Sequence, residues 1–502
     1  MMSTDTRGTI TTAAEYLRDD DGGVLQFPGV ADAGHDVADH DRGLALAFMR
    51  EENAGDRRLR FSNRDLLWVY DGERGIWRRL SEGDLTAFNG RLYEFVRRHL
   101  GRDEMAKATS RYNSVRRMLF ETLGEYHIQP DGFDGSPDLI AFRNGVYDVT
   151  NDRLMPHSPD HMLTVGRDYD HDPSATCPHF ERFLDEVLVR HVDPADDTSS
   201  LVADLELRLL IEELLGYCLV AHCKAERWFL LYGEGRNGKS TLINVIRLVV
   251  GDHNVCDFDV RDIRNHQMTE GLVGKLVALQ PEVEVGTTLP DAALKAVCSG
   301  EPQVVKVVFQ KPFRFKPIAT VIMATNNMPQ TKDHSHGFRE RMVVVPFLAT
   351  LDNETADREL LDRFVPELAG IFNLAIEGYR RLRDNGWRFT EATAAREATI
   401  HYREDSDPIL LWFNDALRAS SVIVKVPTAD LFDDYVAYCS RFRYQALNHN
   451  TFSKRLRKIV DGREGSPWEI KAADGTAFSM AFHRSAHSRA YTGTFTLATV
   501  TG

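Results

Sequence analysis

Between about residues 201 and 350, short unbroken apolar runs alternate with segments whose apolar residues recur every three or four positions. Trp228-Phe-Leu-Leu-Tyr232, Lys275-Leu-Val-Ala-Leu279, Ile318-Ala-Thr-Val-Ile-Met-Ala324 and Met342-Val-Val-Val345 read as buried strands. Leu205 to Val220 and Thr241 to Val250 read as amphipathic helices. Strands apolar on both faces and separated by helices belong to a mostly parallel sheet covered on both sides, so this segment predicts an α/β domain.

The flanks follow other rhythms. Residues 1–42 are short of large apolar side chains and carry acidic clusters at Asp19 to Gly23 and Asp36 to Asp41, which predicts a mobile acidic arm with order beginning near Leu44. Residues 43–200 predict an α+β domain. It has a hairpin Leu66 to Tyr70 and Gly75 to Arg78, helices over Leu85 to Leu100 and Tyr112 to Leu123, and a second hairpin turning at Asn144-Gly145. The polar stretch Asp193 to Ser200 reads as a linker. Residues 351–400 predict a helical connector, with Glu359 to Leu382 at helical spacing. Residues 401–502 predict a separate α+β module: a helix over Pro408 to Leu417, a capped helix from Thr428, a basic helix Asn450 to Val460, and strands Trp468 to Ile470 and Phe478 to Phe482 joined by a glycine turn.

A chain of 502 residues is too long for one core, in keeping with these divisions. The net charge of −14 argues against a protein that coats nucleic acid indiscriminately, since non-specific phosphate binding needs dense Lys and Arg. Any DNA contact must come from local basic patches. The six cysteines form no C-x-x-C pair, so neither a disulfide framework nor a zinc ribbon is expected, and Cys218 and Cys223 around His222 read as buried thiols. Nothing approaches the roughly 18-residue apolar run of a membrane span, and the N-terminus lacks a signal-peptide pattern, which predicts a cytoplasmic protein with no membrane partner.

Candidate chemistry sits at the first strand of the central segment. Gly233-Glu234-Gly235-Arg236-Asn237-Gly238-Lys239-Ser240 completes G-x-x-x-x-G-K-S between a strand and the helix that Thr241 continues. The N–H groups of such a turn, backed by the positive end of the helix, cradle a triphosphate. Lys239 then reaches the β- and γ-phosphates and Ser240 holds Mg²⁺, so ATP and Mg²⁺ are the expected cofactors. Hydrolysis also needs carboxylates at a neighbouring strand end, one on the metal and one on the attacking water. Glu282 and Glu284 follow the Leu276 strand with one residue between them and point the same way on extended backbone. Glu282 joins Ser240 as metal candidate, while the spacing leaves open which glutamate activates water. Asn326 ends the next strand, where an amide can hold water by donating and accepting at once. Arg339 and Arg341, just before the Met342 strand, are placed to reach the ATP of a neighbouring subunit as an arginine finger does.

Taken in this order, the loop Gly233 to Ser240, the acids Glu282 and Glu284, the strand Ala324-Thr-Asn326 and the segment Gly337-Phe-Arg-Glu-Arg341 to Phe347 resemble the superfamily 3 helicases. The likeness is strongest to the helicase half of phage, plasmid and poxvirus primase-helicases. Asp138-Leu-Ile-Ala-Phe-Arg-Asn-Gly-Val-Tyr-Asp148, Pro156-His-Ser-Pro159 and Cys177-Pro-His-Phe180 are similar to the domain that precedes the ATPase in that group, and the likeness covers about residues 60–485.

The resemblance implies an AAA+ ATPase core assembled as a homohexameric ring. Such a ring hydrolyses ATP between subunits and draws one strand of single-stranded or forked DNA through its pore in the 3′ to 5′ direction, in phage or mobile-element replication. If the gene is a phage gene, the compartment is the bacterial host cytoplasm. A pore hairpin is implied just before the sensor strand, where Val304 to Lys316 alternates Val, Lys and Phe around a Gln-Lys-Pro turn; Lys306, Lys311 and Lys316 are its DNA-binding candidates. A winged-helix C-terminal domain is implied too, its helix Asn450 to Val460 carrying Lys454, Arg455, Arg457 and Lys458 opposite Phe452, Leu456 and Ile459. The chain departs from the family pattern at Gln280-Pro281, ahead of the acids, and at Glu340, where the first of two adjacent arginines is common. Arg341 is then the aligned finger and Arg339 its rival. About 60 residues precede the likeness, too few for a primase domain, so a separate primase and polymerase are expected partners. Two other readings share the loop: an origin-binding replication initiator, and a P-loop kinase acting on a small molecule.

Overall fold

A computed structural model of the protein describes residues 37–497 except 55–57, 63–65, 101, 129–131, 194–198, 264–265, 306–312, 332–335, 352–358, 443, 445, 461–468, 472–476 and 485–488. The first described element is the helix Val37–Glu52, so helical structure starts ahead of the expected onset at Leu44. Asp41, assigned by sequence to an acidic arm, is fully buried in it and pairs with Arg111 at 3.0 Å. The helix joins the strands Leu59–Ser62, Leu66–Asp71 and Ile76–Arg79 and the helices Glu82–Arg98 and Ala108–Thr122 around Phe48, Phe61, Phe88, Leu92 and Leu119. Ser81 and Asp84 begin the helix Glu82–Arg98 with a reciprocal capping box, each side chain accepting the other's N–H.

The parallel α/β sheet expected from the apolar runs is present. Its strands, in chain order, are β1 (Trp228–Tyr232), β2 (Val255–Asp257), β3 (Val277–Gln280), β4 (Thr320–Thr325) and β5 (Met342–Pro346). In space they run β2-β3-β4-β1-β5, all parallel. Every residue of β3 and β4 is buried, as strands covered on both faces require.

One continuous core extends from Ile140 to Ala395, so residues on both sides of position 200, and the buried face of the helix Leu368–Asp384, pack together against the sheet. The segments flanking the expected linker return on each other instead of separating domains. Val189–His191 and Leu201–Ala203 pair antiparallel, and Asp204 then N-caps the helix Leu205–Tyr217 by accepting from Glu206 and Leu207 N–H. This helix crosses Leu368–Asp384 at two glycines: a Cβ on Gly216 would lie 2.2 Å from the Ala375 carbonyl oxygen, and one on Gly378 2.3 Å from that of Glu212. The expected connector is therefore part of the sheet domain's packing.

The C-terminal segment builds a core of Trp412, Tyr435, Phe452, Leu456, Met480 and Tyr491. Its order is helix Pro408–Ala416, strand Leu417–Pro427, helices Thr428–Arg441 and His449–Val460, then strands Glu469–Lys471, Ala477–Arg484 and Arg489–Leu497. The last strand pairs with both Leu417–Pro427 and Ala477–Arg484. The cap expected at Thr428 is absent: Pro427 occupies the N-cap and offers no side-chain acceptor, while Thr428 is buried. No helix among the described residues is long and apolar enough to cross a membrane.

Candidate functional site

At the C-terminal end of β1 the chain turns sharply and enters the helix Lys239–Val250. Gly235, Arg236 and Gly238 all have positive φ, +101°, +49° and +89°, the kind of compact winding that makes an anion-binding nest of backbone N–H groups. The loop is tied down from three sides. Gly233 N donates to the Thr325 carbonyl at 3.3 Å, Leu351 N to the Arg236 carbonyl at 2.8 Å, and the buried Asn237 Nδ2 to the Phe347 carbonyl at 3.1 Å. Lys239, only 6% exposed, donates through Nζ to the Gly233 carbonyl at 2.6 Å and to Asn237 Oδ1 at 3.0 Å. Burial pulls its pKa down, against the attraction of Glu282.

Gly238 is locked from outside the sheet. A Cβ there would lie 2.6 Å from Val187 Cγ1 and 3.2 Å from the Phe183 ring, both on the helix Pro178–Val187. Gly238→Ala adds left-handed strain of about 1–2 kcal/mol to that overlap. A lowered melting temperature together with weakened binding of a fluorescent ATP analogue is expected; a variant matching wild type in both would contradict the account of the loop.

A cleft opens over this loop, lined by Gly235 to Thr241, Pro281, Glu282, Thr325, Asn326 and Leu351. Because β4 lies between β1 and β3, the acidic strand end stands two strand spacings from the loop, about 10 Å, with Asn326 between them. Ser240 and Glu282, both exposed, offer two hard oxygen donors on this cleft. That donor set suits Mg²⁺, which takes one or two protein oxygens and completes its shell with phosphate and water.

The two glutamates differ in a way that spacing cannot show. Buried Val283 separates them, its N–H bonded to the Ala324 carbonyl at 2.9 Å, so both carboxylates lie on the exposed side. Glu282 lines the cleft, whereas Glu284 pairs with Arg261 at 2.5 Å. Gln280, which looks like an interruption in the sequence, bridges this region: its Oε1 accepts from Val260 N at 2.9 Å and its Nε2 donates to the Glu282 carbonyl at 3.3 Å. Thr325 and Leu351 also line the cleft and carried no sequence signal of their own.

Arg341 lies at the other end of the sheet. Trp228 stands opposite Met342 and Tyr232 opposite Pro346, so Arg341 precedes β5 where Arg227 precedes β1, a strand length of about 16 Å from the glycine-rich loop. Its guanidinium donates to Glu226 Oε2 at 2.5 Å, Ser299 Oγ at 3.1 Å and the Gly337 carbonyl at 2.8 Å. Arg339 is in the same short helix, His336–Arg341, with its side chain outside the described residues.

The expected DNA contacts divide. Gln303–Val305 and Phe313–Phe315 pair antiparallel, as the two arms of a hairpin; Lys306 and Lys311 lie outside the described residues, and Lys316 is exposed. On the helix His449–Val460, Lys454, Arg457 and Lys458 are exposed while Phe452, Leu456 and Val460 are buried. Arg455 departs from the expected basic face. It turns inward onto the fully buried Asp407, the N-cap of helix Pro408–Ala416, because a buried carboxylate requires a cation.

Residues 47–189 match the family model described as D5 N terminal like, residues 231–341 a family of unknown function, DUF5906, and residues 404–483 Poxvirus D5 protein-like. Both flanks of the sheet domain are thus D5-like in sequence. The chain is 21% identical over 356 residues to "Putative helicase L207/L206" of Acanthamoeba polyphaga mimivirus, a match covering 65% of this chain and 35% of that protein. It therefore spans about a third of the length of that curated relative. Among solved structures, the A form apo structure of the NrS-1 C terminal region covers 89% of this chain and 97% of its own, at 9% identity and a TM-score of 0.45. The apo structure of NrS-1 C terminal region (305-718) covers 90% and 99%, at 11% identity and a TM-score of 0.44.

Proposed function

We propose that the protein is an ATP-dependent DNA helicase of the AAA+ class, working as a ring in the replication of a viral or mobile genome. The observation that carries this reading is the placement of two sets of residues at the two ends of one sheet. The phosphate loop, Glu282 and Asn326 share a cleft, while the arginine suited to the transferred phosphoryl group stands about 16 Å away at the opposite end. No arginine side chain spans that distance, so Arg341 serves a nucleotide held by the next subunit. The spatial order β5-β1-β4-β3-β2, which puts the sensor strand between loop and acid, supports the AAA+ assignment.

In this reading Ser240 and Glu282 would hold Mg²⁺, which would supply positive charge to the triphosphate. Lys239 leaves its loop acceptors for the triphosphate and Asn326 orients the attacking water. Glu284, held by Arg261, carries the state of the cleft to the segment around Val260. The hairpin before β4 grips DNA through Lys306, Lys311 and Lys316. The C-terminal module, with one strand ahead of two helices and paired strands after them, acts as a winged helix presenting Lys454, Arg457 and Lys458.

The full chain incubated with forked substrates separates the strands when the loading tail is 3′ and not when it is 5′, and single-stranded DNA accelerates its ATP hydrolysis. A monomer whose ATP turnover ignores DNA would contradict this and favour a small-molecule kinase.

A further inference from the structure

Two partners of Arg341, Glu226 and Ser299, lie outside every motif in the sequence. Glu226 and Ser299 come from separate segments, one on the turn before β1 and one just after the helix Asp291–Cys298, and they bond each other, Ser299 Oγ donating to Glu226 Oε2 at 3.1 Å. Arg341 uses Nε on Ser299, one Nη2 hydrogen on Glu226 and one Nη1 hydrogen on the Gly337 carbonyl. A guanidinium has five N–H groups, so two are left for an external oxyanion, and the side chain is a quarter exposed, at 25%.

Glu226 is also strained. It stands at φ +50°, in the left-handed region that a residue with a Cβ rarely occupies. Strain of this kind persists where surrounding structure over-determines the residue, and it marks sites whose geometry serves chemistry. Here the strained turn aims a carboxylate at the guanidinium.

We propose that Glu226, supported by Ser299, is a positioning residue for the intersubunit ATPase. It fixes Arg341 by its inner N–H groups and leaves the outer pair preorganised for the phosphoryl group of the neighbouring subunit's ATP. This rests on the assignment of Arg341 as the trans-acting finger. A fixed guanidinium loses no rotamer freedom when the transition state forms, so the benefit falls on kcat and not on ATP binding.

The test compares DNA-stimulated ATP hydrolysis by the full chain as wild type, Glu226→Gly, Glu226→Gln, Arg341→Ala and the double variant Glu226→Gly/Arg341→Ala. Glycine relieves the left-handed strain while deleting the carboxylate, so Glu226→Gly melts at or above the wild-type temperature. Its kcat falls roughly 10- to 100-fold with ATP KM little changed, since small misplacements of a catalytic group have effects of that size. Glu226→Gln, which keeps an acceptor, recovers part of the loss. The double variant is no slower than Arg341→Ala, because the two residues act through one contact. Wild-type kcat in Glu226→Gly beside a slow Arg341→Ala overturns the positioning role alone, as does a double variant slowed by the product of the single effects. Full activity in Arg341→Ala overturns the finger assignment and this inference with it.

Discussion

Lys239→Ala is expected to lose DNA-stimulated ATP hydrolysis by at least about 100-fold while remaining folded, the effect of removing a charged donor from a preorganised oxyanion site. The ammonium is held at the mouth of a turn tied through the Gly233 and Arg236 backbone and the Asn237 side chain. Burial already presses Lys239 toward its neutral form, with Glu282 opposing, and a bound triphosphate would add negative charge that favours the ammonium. The structural consequences are small. Gly233 O and Asn237 Oδ1 lose one donor each beside an open cleft, and Asn237 keeps its bond to Phe347, so about 1 kcal/mol is at stake. Steady-state ATPase and a thermal melt check both halves; turnover near wild type would sink the loop's assignment.

Arg341→Ala is expected to be as damaging by a different route. An arginine finger contributes about 10³-fold or more to phosphoryl transfer, almost all of it in the transition state, so kcat collapses while the ATP KM changes little. A kinetic profile with raised KM and normal kcat would contradict the role. The alanine variant leaves the Glu226 carboxylate without its cation, yet Glu226 is 45% exposed and stays hydrated, so the loss of stability is within about 1 kcal/mol. A defect in turnover is therefore separable from a defect in folding.

How much of this was legible in the sequence depends on the range over which each feature is determined. The loop was, because a strand, a glycine-rich turn and a helix are local and each has its own residue signature. The parallel sheet was, because apolar runs such as Thr320 to Ala324 leave no polar face for water. The order of the strands was not, since no property of β1 alone states that β4 and β5 flank it. Glu282 and Glu284 are equivalent by spacing and become distinct only through Arg261, more than twenty positions upstream. Arg455 looked like one more cation on a basic face until Asp407 was seen buried beneath it. The stretch Asp193 to Ser200 has linker composition, but the strands at its two ends form a pair, and pairing depends on partners that composition does not name. Glu226 had no signal at all, because its role lies in a backbone angle and a contact with a residue 115 positions away.

The central claim is that one active site is made from two copies of the chain. Lys239→Ala and Arg341→Ala proteins are each expected to be nearly inactive alone, but in a mixed ring the loop of an Arg341→Ala subunit can face the arginine of a Lys239→Ala subunit. At equal amounts, random assembly makes roughly a quarter of the interfaces intact in a closed ring of identical contacts. Mixing the two dead proteins and measuring DNA-stimulated ATP hydrolysis should therefore restore activity that neither component has, with a maximum near equal proportions. A mixture as inactive as its components at every ratio would contradict the account.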